Sequence, residues 1–387
     1  MAYRMFIAKI EDTSTDLFEV SEIVHNIEYT TSLESQPGKL SFMLEKDTSN
    51  VLDIRIGSPV QFTSDGKGIF YGNIFTIETD STDVYRVVAY DKMRYLKNSD
   101  CILCDETHTL ETLFKKILDA YNLQGNLGKW KNEVKLQPLV EHYFNNETLF
   151  DILEYYMMAE IDRLTKNATS TSVYKDSDIL VRPYLRCNYN KIEMGEIMYD
   201  FLYDENGKKR TEFLQIGDES LMTDYRYKVD IDKDTYNRFI FVYNEKSSNS
   251  KDTNTQVEKK QMFASMDAGH TISNTNTSLD GTKIGENTLS TWGVLTKIIE
   301  LKSIEQSNML DEYMKACVEI YSMAKRTLKI NAIGYDGIKA GSGFYLHITK
   351  LGIDYPVYVV SATHRYDAES HTMELEVSTN DNMRMFL

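Results

Sequence analysis

Cysteine and tryptophan are scarce in this sequence, bases are outnumbered by acids, and no long apolar run occurs. Four cysteines in 387 residues do not make a disulfide scaffold. The N-terminal apolar run breaks at Lys9, too early for the core of a signal peptide. No segment approaches the ~18 apolar residues that span a bilayer. We therefore expect the protein to remain in the compartment where it is made.

The charge balance disfavours two classes of partner. The chain carries 59 acidic and 43 basic residues, a net charge of -16. Proteins that grip nucleic acid by its phosphates carry clustered bases, and anionic membranes attract bases as well. We expect neither specific nucleic-acid binding nor membrane binding. The two tryptophans, Trp130 and Trp292, lie far apart, which argues against a carbohydrate-binding β module.

Most of the pattern is typical of short strands, and the length predicts two to four domains. The stretches "GIFYGNIFTIETD" and "VYRVVAYDKM" are β-rich runs separated by a polar turn, and "SDILVRPYL", "NRFIFVYNE" and "WGVLTKIIEL" are further predicted strands. Near the end, 344–350 and 357–366 are predicted to form a hairpin, and a half-buried last strand follows.

Two glycine clusters, "GKGIFYG" and "KAGSGFYLHI", raise the possibility of phosphate-binding loops. Such loops need a Lys-Ser/Thr pair and a helix directly after the glycines. Both clusters run into β patterns and lack that pair. They are predicted to be turns that open β-hairpins.

Three segments have helical spacing. The first covers 108–123, with Thr107 or Thr109 as its cap, and the second covers 145–164, with Asn145 or Asn146 as its cap. The third extends from Ser307 to Leu328. Between 244 and 290 the composition turns to Ser, Asn, Thr, Asp and Lys, which predicts an exposed, mobile loop.

The candidate reactive residues do not form a recognisable site. Cys101 and Cys104 have metal-knuckle spacing and His108 follows, but no second ligand pair is spaced to complete a zinc site. The histidines are scattered, at 25, 108, 142, 270, 347, 364 and 371; those at 364 and 371 favour hydrogen-bonded structural roles in strands. No nucleophile motif occurs. We predict no catalytic residue, no metal site and no cofactor.

One charge pattern allows two interpretations. Glu147, Asp151 and Glu154 are predicted to share a helix face opposite the apolar stripe. The simpler interpretation is a solvated outer face. The alternative is a face that lines an acidic passage.

Three stretches together resemble the central baseplate hub proteins of contractile phage tails and defective-prophage particles, related more distantly to the late-control protein D family. They are "GIFYGNIFTIETDSTDVYRVVAYDKMRYLKNSD", "ILVRPYLRCN" and "LDEYMKACVEIYSMAKRTLKINAIGYDGIKAGSGFYLHI". The resemblance extends over nearly the whole chain and depends on the order of the elements.

The resemblance implies an α+β, multi-domain fold with two small β-barrel domains and a helical α/β domain. The implied divisions are a first barrel at 1–97, the helical domain at 98–179, strands of the second barrel at 180–243, a polar loop insertion at 244–290, a strand and helix at 291–327, and completion of the second barrel at 328–387.

The resemblance also implies a structural function. Three chains form a ring of six barrels that joins the sixfold tail tube to the threefold central spike. The implied partners are a second and third copy, the tube protein, the spike protein, and wedge or tape-measure/LysM-type adaptor proteins. The protein is expected in the host cytoplasm during assembly and then in a phage or bacteriocin-like particle. The alternative is a tail-associated cell-wall hydrolase, against which the missing catalytic motifs argue.

Overall fold

The fold comes from a computed structural model that describes residues 3–8, 17–34, 36–46, 54–79, 81, 83–127, 138–166, 183–204, 208–245, 259–267, 288–301, 321–368 and 370–378. The chain divides into two compact units. The first comprises Met1–Arg226 and Leu328–Ser378, and the second comprises Tyr227–Thr327 and Thr379–Leu387.

The described part of the chain is predominantly β. Its strands are β1 Tyr3–Ala8, β2 Leu17–Glu19, β3 Val24–Ser32, β4 Lys39–Glu45, β5 Pro59–Ser64, β6 Lys67–Thr79, β7 Val84–Asp91, β8 Ser99–Cys104, β9 Gly125–Leu127, β10 His142–Thr148, β11 Pro183–Asn188, β12 Lys191–Glu196, β13 Gln215–Gly217, β14 Met222–Asp230, β15 Arg238–Glu245, β16 Lys259–Asp267, β17 Thr296–Leu301, β18 Lys325–Ile333, β19 Gly343–Ile348, β20 Ile353–Tyr366 and β21 His371–Ser378. Its α-helices are α1 Leu110–Ala120, α2 Leu149–Lys166, α3 Ile197–Leu202 and α4 Leu289–Trp292.

One 13-stranded sheet joins the beginning and the end of the chain. Its order is β14-β18-β21-β20-β3-β4-β7-β6-β5-β1-β2; β19 branches from β20, and β13 pairs with β19. The junction is the antiparallel pair β3–β20, in which Tyr29 lies opposite His364. Apolar residues from β1 to β7 pack into one core together with Tyr366 of β20. The core formed by alternate side chains of these strands therefore includes a side chain from beyond the β3–β20 junction.

Both glycine clusters are turns, as predicted. Gly66 has a φ of 77° and follows Asp65 at a φ of 44°, between the antiparallel strands β5 and β6. Two consecutive residues with positive φ make the tight turn that suits a two-residue hairpin. Gly341, at a φ of 80°, precedes β19, which forms the predicted hairpin with β20.

Helix α1 confirms the first helix prediction and its second cap candidate. The backbone N–H of Thr112 donates to Thr109 Oγ1 at 3.2 Å, and the Thr109 N–H donates back to Thr112 Oγ1 at 2.7 Å. This reciprocal cap satisfies two of the N–H groups that a helix start leaves free. The apolar stripe of α1 is buried, at Leu110, Leu113, Phe114, Ile117 and Leu118.

Replacing Thr109 with alanine is expected to lower the free energy of unfolding by about 1 kcal/mol, because the Thr112 N–H loses the Oγ1 that accepts from it. Thr107→Ala is the matched control, since Thr107 lies outside the helix and bonds to exposed Asp105. Urea unfolding followed by circular dichroism measures both. Equal midpoints for the two variants would contradict the capping assignment.

The second helix starts later than predicted. Asn145 and Asn146 are not its cap, since both lie in β10, where the register shifts between Asn145 and Glu147. Asn146 occupies a left-handed conformation there, at a φ of 60°. The cap is Thr148, whose Oγ1 accepts from the Asp151 N–H at 3.1 Å. Asparagine suits both helix caps and bulges, so the sequence did not distinguish between them.

The predicted helical α/β domain is not supported. Helices α1 and α2 bury their stripes in a core that strands complete, with Leu96 after β7, Leu185 of β11 and Ile192 of β12 in the same cluster. This core lies in the same unit as the large sheet. A pair of helices has too little apolar surface to bury by itself, so its core recruits neighbouring strands.

The second unit contains a three-stranded sheet in the order β16-β15-β17. Strands β15 and β17 confirm the strands predicted at "NRFIFVYNE" and "WGVLTKIIEL". Within the stretch predicted as a polar loop, Lys259–Asp267 forms β16 and pairs with β15. Most of the helix predicted at 307–328 lies outside the described residues, and its last four positions begin β18. Among the described helices, none has the length and apolarity to cross a membrane.

Candidate functional site

A polar cleft of about 650 Å³ opens in the first unit. Its walls are the start of β6, strand β11, the loop between β18 and β19, and β20. Basic side chains (Lys67, Arg186 and Lys339) and carboxylates (Asp200 and Asp336) line it together. Arg186 and Asp200 form an ion pair at 3.1 Å in this lining, which holds both side chains in position.

Two buried histidines form a chain of hydrogen bonds at one wall of this cleft. His364 Nε2 lies 2.8 Å from the carbonyl oxygen of Ile338, so this nitrogen carries the hydrogen and donates it. His364 Nδ1 must then accept, and His371 Nε2 donates to it at 2.9 Å. The remaining His371 nitrogen, Nδ1, faces Asp336 Oδ1 at 3.5 Å. Tyr366 Oη donates to that same carboxylate oxygen at 2.8 Å.

This chain connects the loop after β18 to the β20–β21 hairpin. Asp336 and Ile338 belong to the loop, while His364 and His371 belong to the hairpin. Burial is the main cause that lowers the pKa of His364 to about 4, and the neighbouring His371 lowers it further. His364 is therefore neutral at physiological pH, which agrees with one donor and one acceptor on its ring.

Two basic side chains of the cleft, Arg186 and Lys339, have partners within the protein. Arg186 stacks over the Tyr184 ring at 4.2 Å and donates to Asp200 Oδ2 at 3.1 Å. Lys339 Nζ donates to Asn188 Oδ1 at 3.1 Å, and burial lowers the pKa of Lys339 to about 8. These contacts tie β11 to helix α3 and to the loop after β18.

Asp91 is a buried carboxylate, and both of its oxygens accept hydrogen bonds from the backbone. Its Oδ2 accepts from the Gly38 N–H at 2.9 Å, and its Oδ1 accepts from the Met93 N–H at 3.0 Å. Burial raises the pKa of Asp91 to about 7. A Cβ added to Gly38 would lie 2.4 Å from Asp91 Oδ2, so the close approach requires glycine at 38. No signal in the sequence singled out this carboxylate.

The C-x-x-C pair lies on strand β8, where residues three apart point to opposite faces. Cys101 is exposed, and its thiol donates to Asn145 Oδ1 at 3.5 Å. Cys104 is buried in the core, and burial raises the pKa of its thiol. The two sulfurs therefore face different surroundings. Within the described part of the chain, no group of three or more His, Cys, Asp and Glu could hold a metal.

The other histidines form separate local contacts. His25 pairs with Glu45 at 2.8 Å, and His108 with Asp105 at 2.9 Å. His347 pairs with Asp354 at 3.0 Å, chiefly by a hydrogen bond that raises the pKa of His347. His142 packs on Phe144 with its ring 4.4 Å away. His270 lies outside the described residues. The structure brings together His364 and His371 because their strands are consecutive and antiparallel, a relation that the order of the strand predicted at 357–366 and the predicted last strand could have revealed.

The predicted acidic helix face is wrong in one member. Glu147 belongs to strand β10, whereas Asp151 and Glu154 are on α2. All three side chains are exposed. Because α2 begins at Leu149, Glu147 lies on strand β10 and is not part of the helix face.

A sequence model of the YQBQ-like family matches residues 27–265 and 271–378. The chain belongs to this family. No curated protein matches it. Among solved structures, a tail protein of Neisseria meningitidis MC58 is similar at 10% identity with a TM-score of 0.58, over 100% of this chain and 99% of that chain. The 43 kDa tail protein of prophage MuSo2 from Shewanella oneidensis is similar at 10% identity with a TM-score of 0.57, over 98% of this chain and 99% of that chain.

At this level of identity the likeness shows a shared fold. The fold of this member of the YQBQ-like family is that of phage tail proteins, and it extends over the full length of both relatives. At the level of the fold, this confirms the resemblance to phage-tail proteins that the sequence indicated.

Proposed function

We propose that the chain is a structural subunit of a phage-tail baseplate, and that three copies form a hub between the sixfold tail tube and the threefold spike. The fold shared with two tail proteins over their full length supports the coarser part of this proposal. The more specific part, a hub of three copies, is argued from the large sheet.

The observation that carries the hub proposal is a sheet with two free ends in one chain. Strand β2 ends the sheet on one side and β14 on the other, and each pairs with a single strand among the described residues. Free edges pair readily with strands of other chains. Because the two ends are different surfaces, a contact between them is head-to-tail, and a head-to-tail contact closes into a ring of three when each copy is rotated by a third of a turn from the last.

Two barrel-like halves in each chain account for the change of symmetry. We assign one to 1–97 and the other to 328–387 with strands from 180–243. The junction β3–β20 joins these halves in one sheet, so three chains supply six similar modules. Six modules match a sixfold tube, while three chains match a threefold spike.

The cleft supports a structural function over a catalytic one. Both ring nitrogens of His364 are engaged, and Asp336 Oδ1 accepts from Tyr366. The remaining ring nitrogen, His371 Nδ1, faces Asp336, and the His371 side chain is only 2% exposed. A general base needs a free lone pair within reach of its substrate. We therefore assign the cleft to holding the loop after β18, and the hydrolase alternative has no observation in its favour.

The partners of the hub are further copies of the chain, the tube and spike proteins, and wedge or tape-measure/LysM-type adaptors. Assembly takes place in the host cytoplasm and the product is a phage or bacteriocin-like particle. The net charge of -16 suits a channel to which DNA does not adhere.

Co-expression with the spike protein is expected to give a complex containing three chains of 44.8 kDa each, with a threefold ring in electron micrographs. Light scattering after size exclusion measures the stoichiometry. Leu17→Lys places a charge on the free edge of β2 and is expected to weaken the ring. Ile56→Lys is the matched control, since Ile56 is similarly exposed but lies in a turn. A monomer in the co-expressed sample, or equal loss in both variants, would overturn the hub proposal.

A further inference from the structure

Strands β8 and β10 form a ribbon that is separate from the large sheet. They pair antiparallel from Ser99–Thr148 to Cys104–His142, and in the described part of the chain neither pairs with a further strand. A two-stranded ribbon leaves the backbone N–H and C=O groups of both outer edges without strand partners.

The two edges of the ribbon differ in protection. Strand β10 carries a bulge between Asn145 and Glu147, and bulges disrupt pairing with a foreign strand. Strand β8 reads SDCILC and contains no lysine, proline, glycine or bulge. Lysine, proline and bulges are among the devices by which proteins block edge strands. The charged side chain of β8, Asp100, accepts from the Cys101 N–H at 2.7 Å. Beyond Cys101, from Ile102 to Cys104, the β8 edge is open to an added strand.

A groove of about 320 Å³ lies beside β8, between this strand and helix α1. Its apolar lining comes from Ile102 and Leu103 on the strand and from Ile117, Ala120 and Tyr121 on the helix and its end. No residue of β10 lines it, so the groove is on the unpaired side of β8. An added strand there would have apolar contacts along one face.

The outer face of the ribbon is apolar at its centre. Leu103 is 52% exposed, and Tyr143, directly opposite on β10, is 60% exposed. Cross-strand apolar pairs of this kind stabilise a sheet when they are covered. Leu103 is on the open-edge strand itself, and Tyr143 is one strand away from that edge.

Carboxylates outnumber basic side chains around this apolar centre, where Lys116 on α1 is the basic residue among those that line the groove. Residues 98–114 and 138–160 contain no lysine or arginine. The ribbon and its adjoining turn carry exposed or half-buried carboxylates at Asp100, Asp105, Glu106, Glu141 and Glu147. A second copy of the same ribbon would meet like charges, which is unfavourable, whereas a basic segment would be attracted.

We propose that the free edge of β8 is a docking site for an extended segment of a partner protein, with apolar side chains in its middle and lysine or arginine at its ends. The segment adds to β8 as a third strand. Backbone hydrogen bonds provide the affinity, the groove beside α1 accepts alternate apolar side chains, and the surrounding carboxylates select for basic flanks. This inference is independent of the hub proposal, whose assay does not involve β8.

The test uses a fluorescent synthetic peptide in which threonine and valine alternate between two pairs of lysines. A matched peptide has glutamates in place of the lysines, and a third has proline at its centre. The lysine peptide is expected to bind the full-length protein, to weaken several-fold as salt is raised from 50 mM to 500 mM, as charge screening requires, and to slow hydrogen exchange at the β8 amides. The glutamate and proline peptides are expected to bind at least about tenfold more weakly.

Leu103→Lys is expected to reduce the affinity for the lysine peptide by at least about tenfold, the factor that corresponds to loss of one buried apolar contact. Leu103→Ala is the milder second variant. Ile298→Lys is the matched control, because Ile298 is comparably exposed on edge strand β17. Equal binding of the lysine and glutamate peptides, or equal binding by Leu103→Lys and the unchanged protein, would overturn the proposal. Slow exchange at β8 that depends on protein concentration without peptide would assign the edge to a second copy, which also overturns it.

Discussion

Replacing Asp91 with alanine is expected to lower the free energy of unfolding by about 3 kcal/mol. The side chain is buried and accepts hydrogen bonds from the backbone N–H groups of Gly38 and Met93. Each donor left without a partner in a buried site costs about 1–3 kcal/mol. Urea unfolding followed by circular dichroism measures the change, and hydrogen exchange at these two amides reports it locally.

Asp91→Asn is expected to cost less, because the amide oxygen keeps one of the two acceptor positions. Asp83→Ala is the matched control, since the Asp83 side chain is 96% exposed, and its effect is expected to remain within about 0.5 kcal/mol. If Asp91→Ala unfolds at the same urea concentration as Asp83→Ala, the buried carboxylate does not anchor the turn before β4.

Acidification is expected to destabilise the first unit through His364. The pKa of His364 is about 4 in the folded protein, below the ordinary value of 6.5. Between these values the unfolded chain binds more protons, so the free energy of unfolding falls as the pH is lowered from about 6.5 to about 4. The full difference corresponds to roughly 3 kcal/mol. Protonation also removes the acceptor that His371 uses.

Other groups titrate near this histidine. The test therefore compares the pH dependence of the free energy of unfolding between the unchanged protein and a His364 variant. The groups that face it are His371, Asp336, Lys339 and the rings of Tyr29 and Tyr366. Farther away, the raised pKa of Asp91 gives a pH dependence of stability in the opposite direction. The contribution of Asp91 to stability is lost as the pH rises from about 3.8 to about 7.

His364→Gln retains a donor for the Ile338 carbonyl and removes the titration. Its free energy of unfolding is expected to depend less on pH between 4 and 6.5 than that of the unchanged protein. Urea titrations at each pH give both curves. Parallel curves would mean that His364 does not remain neutral in the folded state.

Protonation of His364 disrupts the bond between the two histidines of the hairpin, whereas the loop after β18 keeps its own contacts. The loop after β18 is connected to the hairpin through the Ile338 carbonyl and the Asp336 carboxylate. It also donates from the Ala340 N–H to Thr31 Oγ1 at 2.9 Å, which reaches strand β3. A protonated His364 still donates from Nε2 to the Ile338 carbonyl, so the expected loss is confined to the bond that His371 donates.

Local features of this protein could be predicted from its sequence. The stripe of α1 and its Thr109 cap, the turn at Gly66 and the β19–β20 hairpin each depend on residues within a few positions of one another. Helical periodicity, side-chain capping and the positive φ of glycine act over one turn of chain. Where two local preferences compete, as at Asn145 and Asn146, the sequence did not show that a bulge would form in place of a cap.

The tertiary structure alone decided the long-range features. The β3–β20 pair joins residues more than 300 positions apart, and no local pattern specifies which strands become neighbours. The role of Asp91 depends on which surface packs over it, because the sequence does not distinguish a buried aspartate from an exposed one. By itself the sequence determined that this chain is β-rich, acidic and similar to phage tail proteins. The sheet with two free ends, the buried histidine pair and the open β8 edge follow from packing between distant segments, because burial and strand pairing are properties of surfaces that meet only in the folded chain.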